Sequence, residues 1–231
     1  MPTTGADKPA AADDRSATPH LENYYSKRAR EYEQIYEKPE RQRELEWLRH
    51  RVPEIFRGRT VLEVACGTGY WTQYIAPGAK RVYAFDINEP VLEIAREKQI
   101  PAGKATFFRA DAVTLDNVPP GCNAAFAGFW WSHVKKSDIA QFVRNLAARI
   151  EPGSVVAMLD NAFAPGSSTP ISRTDAEGNT YQVRQLANGE AFEVLKNFPK
   201  PGELADAVRG VAREAHLESL AYYWLLVFTL K

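Results

Sequence analysis

The stretch from Val61 to Trp71 constrains this chain more than any other part of it. Val61-Leu62-Glu63-Val64-Ala65 is a short, mostly aliphatic run; Gly67 and Gly69 follow, and Tyr70 to Ile75 can open a helix. The pattern predicts a strand, a tight turn and a helix. Glycine at 67 and 69 permits positive φ and removes the Cβ atoms that would hold a ligand away from the backbone. Such a turn offers backbone N–H groups and a helix start to a small molecule. The same turn can equally do no more than close a strand onto a helix, so its neighbours must decide.

Arg81 to Ile87 is a second apolar strand ending at Asp86. It lies roughly twenty residues beyond the turn, the spacing at which a carboxylate reaches ribose hydroxyls in nucleotide-binding βαβ units. A dinucleotide site would want a third glycine in G-x-G-x-x-G, and Thr72 stands in that place. NAD and FAD are disfavoured. Ala105 to Phe108 is a third strand leading into Arg109-Ala110-Asp111-Ala112, Asn123 to Phe129 a fourth, and Ser154 to Asp160 a fifth. Strands alternating with amphipathic helices mean a parallel sheet covered on both faces, with ligands beyond the strands' carboxyl ends.

As an ordered set, Glu63-x-Ala65-x-Gly67-x-Gly69, Asp86 and Arg109-Ala110-Asp111-Ala112 resemble the successive motifs of class I S-adenosylmethionine-dependent methyltransferases. The resemblance covers roughly Tyr24 to Lys231. One departure is Ala65, where the commonest form has a third glycine; alanine adds only a methyl group. The resemblance implies an α/β fold with a Rossmann-like, mostly parallel seven-stranded sheet, helices on both faces and an N-terminal helical lid. It implies S-adenosyl-L-methionine as cofactor and S-adenosyl-L-homocysteine as product. Ala65, Gly67 and Gly69 would border the methionine part, with Glu63 at its amino group directly or through water. Asp86 would accept the ribose hydroxyls, Ile87 would lie against adenine, Asp111 would take the adenine amine and Ala112 would offer backbone. Tyr25, Tyr32 and Phe129 complete the implied cofactor set. Tyr24, Trp130 and Trp131 are implied on the substrate side, though aromatic residues at such spacings are often ordinary core.

A chain of 231 residues suits one α/β domain. Basic and acidic residues balance at 29 each, so no global field draws in nucleic acid or an anionic membrane surface. No run approaches the about 18 apolar residues of a membrane span. With Cys66 and Cys122 alone, no disulfide framework is implied, and a cytoplasmic protein, monomer or homodimer, is expected. Residues 1–20 read as a flexible tail and 21–231 as the methyltransferase domain. Lid helices are expected over about 21–52, broken at Pro39, the second running from Glu40 to His50. Asn88 is expected to cap the helix after Asp86. An insertion over about 161–200 holds a hairpin turning at Asn188-Gly189. Glu203 to His216 reads as a helix, and Leu217 to Lys231 as the last strand or strands.

Methyl transfer from a sulfonium is an in-line displacement in which alignment and desolvation can supply most of the acceleration. It needs no covalent nucleophile, and no metal ligand set is read here. A hydroxyl or protonated amine must lose a proton, for which His133 and Asp160 are the candidates. The expected activity is methylation of oxygen or nitrogen on a small aromatic or heterocyclic metabolite, with no nucleic-acid or membrane partner. The rivals are an NAD-dependent oxidoreductase, a non-catalytic S-adenosylmethionine binder, and a protein or nucleic-acid methyltransferase. Nothing resembles an Asn-Pro-Pro-Tyr motif for flipped bases; Phe129-Trp130-Trp131-Ser132 stands there instead.

Overall fold

The computed structural model describes residues 24–231. The tail at 1–20 and the first residues of the expected lid lie outside the described residues. Strands β1 (Thr60–Val64), β2 (Arg81–Asp86), β3 (Ala105–Arg109), β4 (Ala124–Gly128) and β5 (Val155–Asn161) run parallel. A short three-stranded sheet follows, made of β6 (Arg173–Thr174), β7 (Thr180–Gln185) and β8 (Ala191–Leu195). Strands β9 (Ala212–Ser219) and β10 (Tyr223–Leu230) then return to the main sheet, whose order is β3-β2-β1-β4-β5-β10-β9 with β10 antiparallel to both neighbours.

Side chains alternate across this sheet as the two-residue period of a strand requires. Leu62, Val64, Val156, Met158, Leu226 and Phe228 pack on one face with the helices Ile139–Ala147 and Pro201–Val208. Val61, Ala157, Leu159, Tyr223 and Leu225 pack on the other, under the helix Gln42–Ile55 and the short helix Thr72–Ile75. A parallel sheet buried on both faces needs this double apolar set. The chain runs outward from β1 through β2 to β3 and then returns to β1's other side as β4, and this switch between β1 and β4 leaves a crevice at the strands' carboxyl ends, beside Asp86 at the end of β2.

Three expectations are corrected. The helix expected over Glu203 to His216 ends at Val208, and Ala212–Ser219 is an edge strand on β10. Arg213, Glu214, Ala215 and His216 carry little strand preference of their own, but pairing with the buried β10 satisfies their backbone and overrides it. The first lid helix is a helical turn over 24–28 followed by a tighter 3₁₀ segment, Ala29–Tyr36. The second begins at Gln42 and runs to Ile55, past the expected end at His50. The hairpin of β7 and β8 forms with its turn at Asn188-Gly189, and β6 pairs with the outer edge of β7 to make a small sheet separate from the main one.

Candidate active site

The carboxyl ends of β1 to β4 border one hollow of about 730 Å³, a figure that includes the solvent space at its open mouth. The turn after β1 contributes Ala65 and Gly67, and the end of β2 contributes Asp86 and Ile87. Asp111 and Ala112 follow β3, and Phe129, Trp130 and His133 follow β4. Tyr25 and Tyr32 close the hollow from the N-terminal segment. Thus eleven of the residues singled out in the sequence meet at one place.

Gly67 has φ of +55°, and a Cβ built on it would meet nothing nearer than the Tyr32 ring at 3.9 Å. Its backbone N–H donates to Asp86 Oδ2 at 3.0 Å, which fixes the turn against the end of β2. Asp86 Oδ1 accepts the Asn88 N–H at 2.9 Å. Burial raises the Asp86 carboxyl above its ordinary value, opposed by these N–H donors, and the residue lines the hollow. Asp111 Oδ1 holds the Val113 N–H at 2.7 Å. Two carboxylates above an apolar floor of Ile87, Val91 and Ala112, beside a turn open to close approach, fit an adenosyl group.

Ala65 is the sequence's departure from three glycines, and its backbone has φ of +51°, a left-handed conformation that costs a residue with a Cβ about 1 kcal/mol. Ala65→Gly is therefore expected to stabilise the fold by about 0.5–1 kcal/mol, visible as a rise of about 1–4 °C in the melting midpoint. An unchanged or lower midpoint would show that the turn carries no such strain. Phe129 is held at φ of +61° at the end of β4, so strain gathers on both walls.

Five singled-out residues do not line the hollow. Gly69 (φ +72°) serves packing: a Cβ there would lie 3.0 Å from that of Ala95. Glu63 points away from the hollow, on the Val61 face of β1; it is 2 % exposed and its Oε2 has no partner. Burial pushes its carboxyl up to about 8, so it is largely neutral at pH 7. Tyr24 packs among Leu186, Phe192 and Val194 under the hairpin. Trp131 lies in the core against Trp224, ring centroids 5.7 Å apart. Asp160 is fully buried, and its oxygens accept from Lys196 Nζ (3.0 Å), the Ser132 N–H (2.9 Å) and the Asn161 N–H (2.7 Å). A carboxylate so committed is a structural anchor.

Sequence reasoning missed Asn88, Val91 and Gly128, which also line the hollow. Asn88 makes no side-chain cap bond; its amide instead lies 3.4 Å from Asp86 Oδ1. Its position directly after the strand-ending acid was the available signal.

His133 carries the most informative geometry. Its Nδ1 lies 2.7 Å from the Leu195 carbonyl oxygen, which can only accept, so the ring proton resides on Nδ1. Nε2 therefore presents a lone pair, and the Tyr25 hydroxyl donates to it at 2.7 Å. Burial, followed by the charge of Lys196, holds His133 down to about 3. The imidazole is neutral across the physiological range. Among the described residues, no group of three or more His, Cys, Asp or Glu could hold a metal ion.

A mostly parallel sheet with acid-tipped strands, a Gly-bearing first turn, one reversed strand, β10, and a crevice at the strands' carboxyl ends defines a protein of Rossmann-like, nucleotide-binding architecture. Residues 61–153 match a family model described as a methyltransferase domain. The chain is 31% identical over 177 residues to the ubiquinone biosynthesis O-methyltransferase of Bordetella avium, covering 75% of this chain and 68% of the relative. It is 25% identical over 182 residues to that of Thiobacillus denitrificans, covering 76% and 70%. The chain belongs to the class I S-adenosylmethionine-dependent methyltransferases. Among solved structures, DhpI in complex with SAH superposes with a TM-score of 0.73 at 25% identity, covering 94% of this chain and 98% of that one. S-adenosylmethionine is the methyl donor of this enzyme. No helix among the described residues is long and apolar enough to cross a membrane.

Proposed function

We propose that the enzyme methylates a hydroxyl oxygen of a small, flat acceptor, with His133 as the base that receives the hydroxyl proton. The observation that carries this reading is the Tyr25–His133 pair on the wall of the hollow, with an Nε2 lone pair held inward by the Leu195 carbonyl. Relatives named O-methyltransferases support oxygen as the acceptor atom. Trp130 and Phe129 on the same wall support an aromatic or heterocyclic body, and the buried Trp130 indole N–H has no partner in the protein.

The donor, when bound, supplies a methyl group on a sulfonium, already a good leaving group. Asp86 would hold the ribose hydroxyls, Asp111 and the backbone at Ala112 the adenine edge, and Ile87 and Val91 the adenine face. Tyr32 covers Gly67 and keeps water from the turn. The acceptor hydroxyl would reach Nε2 either in place of the Tyr25 hydroxyl or through it. Its proton then ends on Nε2, leaving an imidazolium that donates from both nitrogens.

Because His133 stays neutral until about pH 3, its lone pair is free throughout pH 5 to 8 and its own titration leaves no inflection near 6.5. The same low proton affinity makes it a weak base, which takes the proton only in concert with methyl transfer, as the sulfonium's positive charge is lost. His133→Asn is expected to lower kcat by about 10²–10⁴-fold at pH 7, with S-adenosylhomocysteine affinity unchanged. The deficit should narrow at high pH, where the acceptor ionises unaided. A variant whose pH–rate profile matches that of the native enzyme would leave His133 structural, and a product methylated on nitrogen or carbon would overturn the oxygen assignment.

A further inference from the structure

The hairpin packs behind the Tyr25–His133 wall of the hollow, outside the lining itself, and brings a part-buried arginine there. In the β7–β8 register Arg184 stands opposite Phe192, so both share a face. Phe192 packs against Tyr24 with ring centroids 5.5 Å apart, and Tyr24 against Tyr25 at 5.0 Å. Arg184 therefore faces the segment whose Tyr25 touches His133. One of its terminal nitrogens donates to Gln182 Oε1 at 2.6 Å, while its Nε is buried with no partner. On that same segment Arg28 donates to the Tyr24 hydroxyl at 2.6 Å, and its guanidinium lies 5.9 Å from the Tyr32 ring centre.

No carboxylate among the described residues pairs with either arginine. The charge of Arg184 reaches His133, Lys196 and Lys38, lowering the proton affinity of each. Asp160, the buried acid in this group, is already held by Lys196, Ser132 and Asn161. A buried guanidinium nitrogen without an acceptor costs free energy that a ligand anion would recover.

We infer that the acceptor carries an oxyanion, a carboxylate or a phosphoryl group, which is received by the fork of Arg184 with Arg28 facing it beside Tyr25. This rests on the methyl-transfer reading of the site and adds the class of substrate. Arginine suits the task because its planar fork matches the oxygens of either group. The ligand's charge also offsets Lys196 and Arg184, the two cations that suppress the basicity of His133, and so works in the same direction as Asp160.

The test titrates the protein loaded with S-adenosylhomocysteine with benzoate and, separately, with inorganic phosphate, by calorimetry. At least one should bind, and its affinity should fall tenfold or more in Arg184→Gln while S-adenosylhomocysteine affinity stays within twofold. Arg184→Lys, which keeps the charge and loses the fork, should retain part of the binding and guards against a folding defect in the first variant. A preference for benzoate assigns a carboxylate; a preference for phosphate assigns a phosphoryl group. Binding of neither probe, or native affinity retained in Arg184→Gln, would overturn the inference while leaving the methyl-transfer reading intact. Failure to bind S-adenosylhomocysteine would overturn both.

Discussion

Lys196→Met is expected to lower the unfolding free energy by about 3–5 kcal/mol, the usual consequence of removing one partner from a buried ion pair. Lys196 Nζ lies 3.0 Å from Asp160 Oδ1 and 2.6 Å from Ser132 Oγ. The side chains are 6% and 0% exposed, so water cannot replace the lost cation. Burial alone would raise the Asp160 carboxyl, but Lys196 and the surrounding N–H donors overcome this and hold it below the usual carboxylate range. The sign follows. Because the folded value is depressed, the contribution is present above the unfolded carboxyl's pKa of about 3.9 and is lost as pH falls through the folded value. Urea unfolding at pH 7 and at pH 3 checks both parts: the native and Lys196→Met curves should lie far apart at pH 7 and converge in acid. Asp160→Asn with Lys196→Met should recover part of the loss by removing the stranded charge. A deficit under 1 kcal/mol at pH 7 would show that the pair holds nothing.

The same pair joins the hairpin to His133. Ser132 precedes His133, its carbonyl accepts the Asn197 N–H at 2.8 Å, and His133 itself holds Leu195. Residues 195–197 and 132–133 are thereby clamped through three hydrogen bonds, with the Lys196–Asp160 ion pair beside them. Movement of the hairpin must therefore be transmitted to the imidazole. The short Lys196–Ser132 bond makes a hydroxyl at 132 part of this clamp rather than of the chemistry.

What was legible in the sequence was local. The turn at Gly67 and Gly69 and the acid-ended strands at Asp86 and Asp111 announce themselves through period and turn chemistry, because strand, turn and ligand-facing residue are neighbours in the chain. Where tertiary pairing decided the outcome, local pattern failed. Arg213 to His216 form a strand because β10 supplies their partners, and Tyr24 and Tyr25 are adjacent in the chain yet only Tyr25 faces the hollow. Glu63 sits in the motif but on the wrong face of β1, since side chains alternate and Leu62 and Val64 take the other face. Lys196 gave no signal at all. A lysine is almost never buried without a partner, and its partner lies 36 residues away, on a different sheet.

Asp86→Ala is expected to weaken S-adenosylhomocysteine binding by about 1–3 kcal/mol, or roughly 5- to 150-fold, through lost charge-assisted hydrogen bonds. Two effects contribute, and a second variant separates them. Asp86 lines the hollow, and it also ties the Gly67 N–H at 3.0 Å and the Asn88 N–H at 2.9 Å. Removing the carboxylate frees the turn as well as the ligand's partner. Asp86→Asn keeps one oxygen, enough for one of those N–H groups, but loses the charge. If the loss arises from ligand contact, Asn should fall well short of native affinity while its melting midpoint stays near that of the native enzyme. If it arises from a loosened turn, Asn should recover most of the affinity, and Ala alone should melt early. Calorimetric titration of both variants alongside their melting curves decides between these causes, and unchanged affinity in Asp86→Ala would remove Asp86 from the cofactor site altogether.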